Sequence, residues 1–220
     1  MLPRRVAQQV FINCPFDDGY AKTFDAIVFA MIDAGFVPRC ALESSDGTVV
    51  RLVKIEALIR ECRYGIHDIS RTEFDDKTKL PRFNMPFELG LFLGCKHFGG
   101  PAHAQKSCLI LDKTPYRFRK FLSDISGQDV SDHSASPKKA QRRVNEWLRS
   151  VSKRTEIPGP AATWERYQGF RKELPKLCAT LEKDPAELLF VDKTALMLAW
   201  TKTRALGEGG DRTISVTPLR

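Results

Sequence analysis

The sequence predicts an α/β protein: a mainly parallel sheet of four or five strands, covered by helices on both faces and followed by a C-terminal helical extension. Three observations predict it. Short apolar runs alternate with amphipathic helical patterns four times between Val10 and Ile125, the order that a parallel sheet with crossover helices requires. The strand-like runs end in polar residues at their carboxyl ends. The 220 residues are 42% hydrophobic, enough for a sizeable core without staples.

Val10-Phe11-Ile12 breaks at Asn13 and Pro15 and reads as a buried strand running into a loop that carries Asp17. From Tyr20 to Ala34, Phe24, Ile27, Val28, Met31 and Ile32 recur at helical spacing, and Gly35 stops the helix. Phe36 to Leu42 returns as a strand. After the polar loop Glu43 to Thr48, Val53, Ile55, Leu58, Ile59 and Cys62 give a second helix its apolar side. Tyr64 to Ser70 is a third strand with Asp68 near its end, and Arg71 to Phe83 is a long charged loop of the kind that often carries function. A third helix opens at Asn84. Ser107 to Asp112 is a fourth strand, Tyr116 to Ile125 is expected as a helix with Phe118, Phe121, Leu122 and Ile125 inward, and a short fifth strand is expected around Val130.

Beyond these units, Pro137 to Arg154 reads as a basic amphipathic helix with Val144, Trp147, Leu148 and Val151 on its apolar side. Ile157-Pro158-Gly159-Pro160 looks like a linker, and two helical patterns follow, Ala161 to Leu181 and Pro185 to Arg204. Their stripes, Trp164, Tyr167, Phe170 and Leu174, then Leu188, Leu189, Leu196 and Trp200, suit core packing, with a docking surface for a second copy or a partner domain left open. The expected division is an α/β domain over 8–135, a helical extension over 136–206, and a disordered tail over 207–220.

Charge and cysteines narrow the function classes. The net charge of +8 and a pI near 9.3 invite nucleic-acid binding, but the basic residues concentrate on the 138–154 helix, where one buried face and one solvated face is the simpler account. Six cysteines are scattered without a C-x-x-C pair, and His67, His97, His103 and His133 form no metal set, so no metal is expected. Free thiols in apolar runs fit a reducing cytoplasm. Met1 to Gln9 is polar and no run has the length to span a bilayer, so neither a signal peptide nor a membrane is expected.

Chemistry concentrates on Asn84-Met85-Pro86-Phe87-Glu88-Leu89-Gly90. Asn84 can cap the helix and Pro86 is tolerated in its first turn. Glu88 shares a helix face with Asn84, Leu91, Phe92 and Cys95, which sets a carboxylate into an apolar surface. Such an acid is hydrogen-bonded, shifted in pKa or turned to a cleft. In an open parallel sheet, ligands bind beyond the carboxyl ends of the strands, and those ends supply Asn13, Asp17, Glu43, Asp68 and Arg71. Asp68 could equally cap a local turn, Asp17 and Asp18 could simply start a helix, and Arg39 and Arg71 could be solvated or bind phosphate. Neither G-x-G-x-x-G nor G-x-x-x-x-G-K-[ST] follows the first strand and no G-x-S-x-G elbow is present, which disfavours dinucleotide redox, P-loop and serine-hydrolase chemistry. Gly65, Gly90 and Gly94 are expected at close helix–strand approaches.

The first strand with its acidic loop, the third strand ending in Asp68, and above all Asn84-x-x-x-Glu88-Leu89-Gly90 resemble the shared core of the nucleoside 2-deoxyribosyltransferase and TIR-domain superfamily. The resemblance spans about Val10 to Asp132. It implies a flavodoxin-like three-layer fold and a glutamate, here Glu88, working at an N-glycosidic bond as nucleophile or as stabiliser of an oxocarbenium-like centre. It further implies that Asp68 binds ribose hydroxyls and that Asn84 orients Glu88; with Asn13, Asp17 and Arg71 from the strand ends, these make up the expected substrate site. The implied substrate is a nucleotide or nucleoside, NAD for example, with nicotinamide released and no cofactor needed. The implied biology is a bacterial defence or signalling effector that self-associates through its helical annex. The loop after the second strand lacks an obvious aromatic clamp, a departure that bears on the substrate. Two other readings stay open, a non-catalytic nucleotide-sensing or oligomerisation module and nucleic-acid binding through the 138–154 helix.

Overall fold

The computed structural model describes residues 8–74 and 79–206. Most of the leading segment, the middle of the Arg71 to Phe83 loop and the 207–220 tail lie outside them. Five strands form one parallel sheet: β1 (Gln9–Asn13), β2 (Val37–Arg39), β3 (Tyr64–Asp68), β4 (Ser107–Asp112) and β5 (Val130–Asp132), in the order β2-β1-β3-β4-β5. This is the flavodoxin-like order, whose direction reverses between β1 and β3. Six helices flank it: α1 (Asp18–Asp33), α2 (Arg51–Glu61), α3 (Asn84–Phe98), α4 (Pro137–Ser152), α5 (Pro160–Ala179) and α6 (Phe190–Leu206).

Alternation along the central strands assigns the two faces. Val10, Ile12, Ile66, Leu109 and Leu111 point to α1 and α4, and beyond them Phe29 of α1 packs against Tyr167, Phe170 and Trp200 of α5 and α6. The inner members of both C-terminal stripes thus lie in one continuous apolar cluster with the sheet, while Leu189 stays exposed. On the other face Phe11 meets Ile55, Leu58 and Ile59 of α2 and Phe92 of α3, and Ile110 meets Met85 and Leu89.

Local chemistry sets the element ends. Gly35, at φ +76°, lets the chain leave α1 while its amide and that of Phe36 satisfy the carbonyls of Ile32 and Met31. Ser136 caps α4 by accepting from the Lys139 amide, with Pro137 in the first turn. The 116–125 segment departs from expectation. It folds as two short 3₁₀ turns, Arg117–Lys120 and Ser123–Ile125, not as a helix. Tyr116 sits at φ +57°, outside helical backbone, and Arg117 is held back against the end of β4 by Asp112 and the Ile69 carbonyl.

Gly65 meets its expected close approach: an added Cβ would lie 2.8 Å from His67 Nε2 and 2.9 Å from the Phe92 ring. Gly90 and Gly94 do not, because a Cβ at either would enter open space; they fall on the outward side of α3. On α4 the basic charge is largely engaged locally. Lys139 and Arg143 meet Asp132, Arg142 meets Glu146, and just beyond the helix Arg154 meets Glu156. Among the described residues no helix is long and apolar enough to cross a membrane.

Candidate active site at the carboxyl edge of the sheet

The carboxyl ends of β1 and β3, where the strand order reverses, meet the first turns of α1 and α3. Asn13 ties these pieces together. Its side-chain amide donates to the Met85 carbonyl at 2.8 Å and to Nδ1 of His67 at 3.1 Å. His67 is fully buried between Phe11 and Phe92, and burial pushes its pKa down to about 3. The ring is therefore neutral, accepting at Nδ1 and carrying its proton on Nε2, which faces apolar surroundings without a partner. Asn13 thus fixes the first turn of α3 to the sheet, one turn before Glu88.

Glu88 is 7% exposed and, among the described residues, makes no hydrogen bond. Burial raises its pKa from the ordinary 4.5 to about 7, and Arg51 at the start of α2 opposes that rise. A carboxylate taken out of water without a compensating donor is costly to ionise, so Glu88 divides between its acid and its base near neutral pH. That is the condition under which one group can act in both forms.

Asp68 is also buried, but it is fully engaged. Tyr20 of α1 donates its hydroxyl to Oδ2, His133 Nε2 lies 3.0 Å from the same oxygen off the hydrogen-bond direction, and the Ser70 amide donates to Oδ1 at 2.9 Å. Burial, then the Asp68 charge, pushes the Tyr20 hydroxyl up. Cys14, next to Asn13 in the chain, has its thiol pushed well up, first by burial and then by Asp68, Cys40, Glu88 and Asp17. It is a small apolar filler and no nucleophile. Asp17 and Arg71 form a bidentate pair at 2.7 and 3.1 Å, which closes the β1–α1 loop onto the segment after β3. Arg39 is likewise occupied, by Glu43, Glu61 and Gln9.

Of the residues expected from sequence, Asn13, Asp17, Asp68, Arg71 and Glu88 gather at this edge. Their free chemistry differs: Glu88 alone carries an unpaired carboxylate, while Asn13 and Asp68 hold the framework. Asn84 is exposed in the first turn of α3. It is not the cap, since Phe83 takes that position and no side chain caps the helix. Tyr20, His133 and Arg51 were not singled out. Tyr20 carried a signal, standing three residues after Asp17 on the inward side of α1, but His133 and Arg51 arrive from distant segments. Among the described residues no group of three or more His, Cys, Asp or Glu side chains is arranged to hold a metal ion.

No protein-family model, no curated protein and no solved structure gives a significant match to this chain. The class that fold and site define is a flavodoxin-like α/β protein with a C-terminal helical extension and a buried acid at the β1/β3 reversal.

Proposed function

We propose that this protein is a TIR-like or deoxyribosyltransferase-like N-glycosidase that binds a nucleotide, NAD in the first instance, and releases its base, with Glu88 as the catalytic carboxylate. The observation that carries the reading is Glu88 itself, buried, unpartnered and titrating near 7 at the place where this fold presents its ligand crevice. In the reaction the C1′–N bond breaks and its electron pair leaves on the base nitrogen. Ionised Glu88 faces the positive charge that develops at C1′, or closes a C1′–O bond to it. Water then adds at C1′ and gives up its proton to Glu88 or to solvent. A pyridinium base leaves as a neutral molecule and needs no proton, whereas a neutral base must be protonated as it departs. A site whose free titrating group is one carboxylate suits the first.

The self-associating effector role implied by the resemblance belongs to this same proposal, with the outward faces of the 136–206 helices as the surface for a second copy, since the inner members of their apolar stripes are buried in the chain's own core. The test is incubation of concentrated protein with NAD and with a panel of nucleosides, followed by chromatography for free base. Release of nicotinamide by the wild-type chain and none by Glu88→Ala supports the reading. Release that persists in Glu88→Ala overturns it. Nucleotide-dependent assembly with every nucleotide left intact would instead establish the non-catalytic sensing module.

A further inference from the structure

Beyond β4 the sheet ends at its edge strand, β5, and the segments on either side of that edge hold most of the chain's charge. From Lys113 to Arg154, eleven Lys and Arg stand against four Asp and Glu, which leaves seven of the eight net positive charges of the whole chain on this segment. Its two halves converge. Asp112 and Asp132 are register partners at the carboxyl ends of β4 and β5; Asp112 anchors Arg117, and Asp132 anchors Lys139 and Arg143 of α4. Neighbouring strands lie about 4.8 Å apart, so basic side chains from the loop after β4 and from the start of α4 meet at one corner of the sheet. These pairs fix some of the side chains and leave a surplus. Arg119, Lys120 and Lys138 are exposed and make no ion pair among the described residues. Beside Arg119 stands Tyr116, its ring 67% exposed, its backbone left-handed at φ +57°, and the Arg119 guanidinium 4.7 Å from the ring centroid. Left-handed backbone is strained for a bulky residue and persists only where its surroundings hold it. Here the next residue, Arg117, is tied to Asp112 and lies over Phe121 at 4.9 Å, and the result is an aromatic ring held out in water among cations.

We propose that this corner is a binding surface for single-stranded nucleic acid, with Arg119, Lys120 and Lys138 on the phosphates and Tyr116 stacked on an unpaired base. Two independent observations carry it. The charge surplus draws a phosphate backbone regardless of its sequence, by releasing the counterions condensed on it. The exposed ring, with a guanidinium on one face, offers its other face to a base. A duplex keeps its base faces stacked inside, so the ring selects a single strand. The basic face of α4 alone needs no ligand, because solvation accounts for it; an aromatic ring held out among unpaired cations from a second segment does not follow from solvation. The inference uses none of the residues that gather around Glu88 and stands whether or not the chain cleaves a nucleotide.

The test is fluorescence anisotropy of a labelled oligothymidylate of about 20 nucleotides, longer than one binding site requires, titrated with the full chain across a salt series. The expected result is binding whose log affinity falls against log salt with a slope of about −2 or steeper, the mark of three or more phosphates on a single strand. Arg119→Ala combined with Lys138→Ala should weaken binding and make the slope shallower by about 1.4, the share of two phosphates. Tyr116→Asn should weaken binding about 5-fold or more and leave the slope unchanged, because it removes a stacking face and no charge. Asn tolerates left-handed backbone, and all three side chains are exposed, so the fold is spared. Lys172→Ala combined with Lys176→Ala takes the same charge from the exposed side of α5 and should leave the slope as it was. No binding of the strand, tighter binding of a duplex of the same length, an equal loss from the α5 double variant, or an affinity untouched by Tyr116→Asn would overturn the assignment.

Discussion

Replacing Glu88 by Gln should stabilise the protein in alkaline solution and leave it nearly unchanged in acid. The folded chain holds the Glu88 proton up to about pH 7, whereas the unfolded chain loses it near 4.5. Between those values the folded state binds more protons than the unfolded state, so stability falls as pH rises through the window. At about 1.4 kcal/mol per pH unit, the gap amounts to about 3 kcal/mol once pH is well above 7. Gln keeps the shape of the side chain and carries no charge, so it removes this penalty. Urea unfolding followed by circular dichroism at pH 5 and pH 8.5 should show Glu88→Gln gaining less than about 1 kcal/mol at the lower pH and about 3 kcal/mol at the higher. An equal effect at both pH values, or a variant less stable than wild type at pH 8.5, would refute the picture of a buried, unpartnered acid.

Two further predictions probe the scaffold. Gly65→Ala pushes a methyl group into His67 of β3 and the Phe92 ring of α3, both buried between the sheet and that helix, and should cost about 1–3 kcal/mol in denaturant unfolding; an unchanged midpoint would mean that α3 is not held that close to the sheet. Phe29→Ala removes a fully buried ring that touches Tyr167, Phe170 and Trp200, and should cost about 3–5 kcal/mol while unfolding remains a single transition. Separate transitions for the sheet and the C-terminal helices would contradict the continuous cluster seen between them.

The parallel sheet was legible because strand and helix periods are local signals. Val10 to Ile12, Ile66 and Leu109 to Leu111 announce themselves as buried strands, whereas the flavodoxin-like strand order is implied by the resemblance and not by these periods. Glu88 was legible for the same reason, since Leu91, Phe92 and Cys95 stand at helical spacings after it. What periodicity does not carry is the partner of a buried polar group. Asp68 reads like any strand-end acid until Tyr20 and His133 arrive from α1 and from the end of β5. Asn13 reads as a rim residue, yet its amide is committed to Met85, 72 residues on. The 116–125 segment has a helical pattern of apolar residues that the left-handed Tyr116 and the Arg117–Asp112 pair override. Gly90 and Gly94 show the converse error, small residues assigned to close packing that in fact face open space.

The account stands or falls on what Glu88 does to a glycosidic bond. The direct measurement is the rate of nicotinamide release from NAD by the wild-type chain and by Glu88→Gln, side by side at pH 7, with circular dichroism confirming the same fold in both. The account predicts release by the wild type and a loss of about 10²–10⁴-fold or more in the variant. Equal rates in the two proteins would contradict it.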